Sequence, residues 1–110
     1  METEHILVLI TVPSSEVAEK ISTRLVEEHL AACVNILPPL QSLYTWQGKM
    51  NNDSEILLIV KTRASIFHEL LVPAVRAIHP YQVPEIIAIP ILMGSPDYLQ
   101  WMDDTIRKNP

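Results

Sequence analysis

Cys33 is the only cysteine in the 110 residues, so the chain can form no intrachain disulfide, and nothing in it demands an oxidising compartment. Glycine is almost as scarce. With Gly48 and Gly94 alone, a Walker A loop, a GxGxxG turn and a GxSxG nucleophile elbow are excluded, since each needs several glycine positions in one short stretch. The four histidines, at 5, 29, 68 and 79, are dispersed and form neither HxH nor HExxH. Lysines and arginines are few and unclustered in a chain of formal charge −5, which argues against nucleic acid or anionic lipid as partner. No apolar run approaches the roughly 18 residues of a membrane span. The first five residues, Met1 to His5, are acidic where a secretory signal would be basic, so a soluble cytoplasmic protein is expected.

Apolar residues, in contrast, are plentiful. They make up 48% of the chain against 19% charged, enough for one folded domain over residues 1–110. Ile6 to Val12 is a β-branched and leucine run ended by Pro13, the pattern of a strand buried on both faces. Ser14 and Ser15 offer N-caps to a helix from about Ser15 to Leu30, with Val17, Ala18, Ile21, Leu25 and Val26 on one side. Ala32 to Leu37 and Leu40 to Trp46 read as one long strand bent at Pro38-Pro39. The polar stretch Gln47 to Glu55, with Gly48 and Asn51-Asn52-Asp53, reads as a hairpin connection into a third strand at Ile56 to Val60. Helical spacing returns from Ser65 to Ile78, bent at Pro73 and closed by His79-Pro80. Glu85 to Leu92 reads as a fourth strand, with Pro90 at a bulge or edge, and Ser95-Pro96-Asp97 opens a terminal helix.

The order βαββαβ, plus that helix, predicts an α+β fold of ferredoxin-like type, an antiparallel sheet with its helices on one face. The strands are apolar at successive positions, so the second face also needs cover, and three helices cannot supply it. An obligate oligomer follows, its number left open by composition.

Four separated blocks resemble one family. Ala31-Ala32-Cys33-Val34-Asn35-Ile36, Tyr44-Thr45-Trp46-Gln47-Gly48-Lys49, Glu55 to Thr62, and His79-Pro80-Tyr81-Gln82-Val83-Pro84-Glu85-Ile86-Ile87 are similar, in that order, to the signature blocks of CutA proteins, and Tyr98-Leu99-Gln100-Trp101 to their closing block. The resemblance implies a tight homotrimer of ferredoxin-like subunits, an architecture shared with PII-type signalling proteins. It also implies a role in tolerance of, or response to, copper and other divalent cations, by binding and not by catalysis. The copper site of a bacterial member, carried over by position, falls on Ile10, Ile78 and His79, leaving His79 as the metal candidate among them, with a capping or structural role beside the forced chain reversal as its alternative.

Two further readings concern side chains. Cys33, amid apolar neighbours in a strand, is expected to be an inert, buried structural thiol, and His29 a helix-end residue unconnected with it. Tyr44, Trp46, Lys49, Glu55, Lys61, His79, Tyr81 and Glu85 form a polar and aromatic set that resembles, through the family, the lining of a cleft between subunits. Lys61 and Glu85 are placed to pair. Such a cleft would suit Cu²⁺ or another divalent cation, or, in a PII-like sensor, a small polar or anionic ligand. Strand-end ion pairs and interface aromatics are the structural alternative, and a trimer that only binds a protein partner is a further one.

Overall fold

A computed structural model describes residues 4–108; Met1 to Thr3, which carry part of the acidic N-terminal reading, and residues 109–110 lie outside the described residues. β1 (His5–Val12) stops one residue before Pro13, whose ring removes the next donor from the ladder. Ser14, in extended conformation, then accepts a hydrogen bond from the Val17 N–H and starts α1 (Ser15–Glu27), a cap of about 1 kcal/mol. α1 ends three residues earlier than the spacing suggests, because His29 takes a left-handed φ of 57° and turns the chain toward Leu30.

β2 (Cys33–Ile36) and β3 (Leu40–Trp46) are the two halves expected of a strand broken at Pro38-Pro39, and both pair with β4 (Lys49–Arg63). The connection between β3 and β4 is far tighter than the polar composition implies. Trp46 pairs directly with Lys49, and only Gln47 and Gly48 turn the chain, both at positive φ, 52° and 77°. Asn51, Asn52 and Asp53, expected in the connection, are instead strand residues opposite Tyr44, Leu43 and Ser42. They are polar because this arm of the hairpin stands away from the core, so composition there reports solvent and not a loop.

The expected second helix is three successive helical segments: a 3-10 turn at Ala64–Ile66, a π-turn at Phe67–Leu71, and α2 at Val72–Arg76. Pro73 has no N–H for the carbonyl four residues back, and the Val72 N–H reaches Phe67 O, five residues back. β5 (Ile86–Pro90) follows, then α3 (Pro96–Thr105), with proline at the start of the helix as expected.

The main sheet runs β2-β4-β1-β5, with every pairing antiparallel. Pro90 therefore sits at the end of an edge strand, where a missing donor costs least. One face of this sheet is fully covered: Val8 and Ile10 lie beside Val60 and Leu58 in register and pack with Ala18, Ile21, Leu25, Leu71, Val75 and Met102. Within a single chain only one face is buried, in keeping with the expectation that its own helices cannot cover both. β1 alternates between buried and half-buried residues, and the second face, with Leu7 and Leu9 flanked by Ile89 and Ile87, remains open to solvent. Ile87 is 51% and Ile89 45% exposed. Cys33 opposes Lys61 at the start of β2, is half-buried, and is neither mid-strand nor within the core.

Candidate functional site

The β3–β4 hairpin and the loop from Pro80 to Glu85 flank an open cavity of about 670 Å³ lined by Thr11, Ser42, Leu43, Tyr44, Trp46, Glu55, Pro80, Tyr81, Gln82, Val83 and Glu85. Strand alternation explains one wall: Tyr44 and Trp46 are two apart on β3 and point to the same side. Glu55, the partner of Leu40, sits where β4 passes from the exposed arm into the core. It is 5% exposed, and its Oε2 accepts a 2.7 Å hydrogen bond from the Tyr81 hydroxyl. Nearby, the Tyr44 hydroxyl donates to Asp53.

His79 lies beneath this wall, 7% exposed. Its Nδ1 accepts from the Tyr81 N–H at 3.2 Å, which assigns the ring proton to Nε2, 2.8 Å from the Thr11 carbonyl. The imidazole thus ties the end of β1 to the Pro80–Tyr81 turn, and its ring lies 4.8 Å from that of Tyr81. Both nitrogens are occupied by backbone groups, so in this arrangement neither offers a lone pair to a cation. Among the described residues no group of three or more histidines, cysteines, aspartates or glutamates is disposed to hold a metal ion.

The electrostatics of the cavity have one sign. Among the described residues no lysine, arginine or histidine lines it, and neither Glu55 nor Glu85 has an ion-pair partner. Loss of hydration, and then the nearby Glu55 carboxylate, push the Glu85 carboxyl above the usual range. Burial, followed by the hydrogen bond to Glu55, pushes the Tyr81 phenol up, so it remains a donor. The Tyr44 phenol is raised chiefly by its bond to Asp53.

Of the eight residues expected to line one cleft, Tyr44, Trp46, Glu55, Tyr81 and Glu85 do so in this chain, and His79 supports them from below. Lys49 is at the hairpin tip, and Lys61 faces the open side of the sheet with its Nζ 5.8 Å from the Tyr98 ring centre. The expected Lys61–Glu85 pair is not formed. Thr11, Ser42, Leu43, Gln82 and Val83 enter the lining through tertiary packing; of these, only Gln82 and Val83 carried a sequence signal, as part of the block from His79 to Ile87.

The family described as CutA1 divalent ion tolerance protein matches residues 6–105. The divalent-cation tolerance protein CutA of Thermus thermophilus is 56% identical over 96 residues, which are 87% of this chain and 92% of that protein. The chloroplastic protein CutA of Arabidopsis thaliana is 50% identical over 102 residues, 93% of this chain but 56% of the longer plant protein. The solved structure of the Thermus thermophilus divalent cation tolerance protein superposes with a TM-score of 0.90 at 52% identity, covering 94% of this chain and 99% of that one. CutA1 from Oryza sativa gives 0.92 at 43% identity, covering 97% of both chains. The chain belongs to the CutA family of divalent-cation tolerance proteins.

Proposed function

We propose that the protein serves divalent-cation tolerance by binding and not by catalysis, as a homotrimer of single-domain, ferredoxin-like subunits with a PII-like architecture. The open sheet face supports the assembly: a row of partly exposed Leu7 and Leu9 beside half-exposed Ile89 and Ile87 is the kind of contiguous apolar surface that monomers rarely keep. The cavity at the base of the β3–β4 hairpin is the ligand site. The observation that carries this reading is the buried Glu55 carboxylate facing that cavity without a counter-charge among the described residues.

A directly bound Cu²⁺ would need donors besides this chain's own, with Glu55 and Glu85 as its share and a second subunit as the source of the rest. The size and aromatic lining of the cavity favour a second reading, a PII-like sensor of a small molecule, and the carboxylates turn the earlier expectation of an anionic ligand toward a polar or cationic one.

Calorimetric titration of wild type and Glu55→Gln with Cu²⁺ tests the direct reading, and sedimentation equilibrium tests the assembly. Binding weakened by the variant, in a particle three times the 12.5 kDa chain mass, supports both. Equal binding by the two proteins removes the cavity from metal binding, and a monomer mass ends the trimer.

A further inference from the structure

The cavity combines features that select among cations. Its volume, about 670 Å³, lies within the range of roughly 300 to 1,000 Å³ usual for organic ligands and far exceeds the space of a bare ion held at about 2–2.5 Å by its donors. Its lining includes three aromatic side chains, Tyr44, Trp46 and Tyr81, a residue type that attracts organic cations and supplies few metal donors. Glu55 is buried and accepts from one hydroxyl, and among the described residues it has no cationic partner; Glu85 stands at the rim of the same cavity, also without one among those residues. Arg76, at the end of α2, donates to the Gln82 carbonyl at 3.4 Å.

We infer that this cavity takes a small organic ammonium ion, a protonated primary amine whose –NH₃⁺ group meets the Glu55 and Glu85 carboxylates while its carbon chain lies against Tyr44, Trp46 and Tyr81. The inference rests on the reading that this cavity is the ligand site. A primary ammonium supplies three N–H donors to two carboxylates of which only Glu55 accepts from a phenol, and it brings a positive charge. A quaternary ammonium would satisfy the rings but leave the carboxylates without donors, and a neutral alcohol would supply a donor but no charge.

The test is amide NMR and calorimetric titration of the full chain in its native assembly, at neutral pH, with n-butylamine, n-butanol and Zn²⁺ separately. The expected result is saturable n-butylamine binding that moves the Tyr44, Tyr81 and Glu85 amides, at least about tenfold tighter than n-butanol, as charge-assisted hydrogen bonds are the stronger ones. Glu55→Gln and Glu85→Gln should each lose most of that preference; Glu85, at the rim, gives a folded variant even if the buried position does not tolerate change. Equal affinity for amine and alcohol overturns the inference, as does a preference for amine unchanged in Glu85→Gln. Zn²⁺ moving the cavity amides where n-butylamine does not overturns it while leaving the cavity as the ligand site. If no probe moves those amides, both readings fall.

Discussion

The Tyr81 hydroxyl donates to Glu55 Oε2 at 2.7 Å, joining the loop before β5 to the point where β4 enters the core. The bond supplies a donor to a carboxylate that burial would otherwise leave poorly solvated. Tyr81→Phe keeps the ring and removes only the donor. It should lower stability by about 1.5–3 kcal/mol, the usual worth of a hydrogen bond to a charged group, measured by denaturant unfolding. Glu55→Gln retains an acceptor for the phenol and should cost less.

Glu85 gives a pH dependence of definite sign. Its carboxyl is raised by lost hydration and by Glu55, so the folded protein holds this proton more tightly than the unfolded chain does. The stability it contributes is fully present below the unfolded value, near 4.3, and is lost as pH rises through the higher folded value. Glu85→Gln should therefore melt at a higher temperature than wild type at neutral pH. The gain should vanish on acidification, as followed by calorimetry across pH.

His79 should be found as the Nε2–H tautomer, since Nδ1 accepts from the Tyr81 amide. Long-range ¹H–¹⁵N NMR reads this directly; an Nδ1–H tautomer would contradict the geometry. Loss of both bonds in His79→Ala should cost about 1–3 kcal/mol, since the ring ties Thr11 to the Pro80–Tyr81 turn.

Gly48 occupies a φ of 77° with open space around the position of a side chain. Gly48→Ala should therefore cost only backbone strain, about 1–2 kcal/mol, and leave the cavity's ligand affinity unchanged in the same titration.

Much of this architecture was legible residue by residue. Pro13 and Ser14 mark the turn from β1 into α1, Pro38-Pro39 the break between β2 and β3, and Ser95-Pro96 the start of α3. Reading failed where solvent imitated a loop. Asn51, Asn52 and Asp53 have the composition of a connection, yet cross-strand pairing with β3 holds them extended. At Pro73 the bend was foreseeable but not its form, because a π-turn depends on which carbonyl the displaced N–H reaches. The aromatic and acidic members of the cavity stood out by residue type. Thr11, Ser42 and Leu43 did not, since only the folded sheet brings them there. Lys49 and Lys61 share β4 with Glu55 but lie six residues to either side of it, and a strand rise of about 3.3 Å per residue carries both out of reach.

That strand has a mechanical consequence. β4 runs unbroken for fifteen residues, and at about 3.3 Å per residue its roughly 46 Å spans the 44 Å long dimension of the molecule. It acts as a single beam, bedded at one end between β1 and β2 and carrying β3 as a cantilever at the other, with Glu55 at the fulcrum. A load on the hairpin tip is thus delivered first to the Tyr81–Glu55 bond, and pulling on Gly48 should rupture that bond before it disturbs any residue beneath the helices.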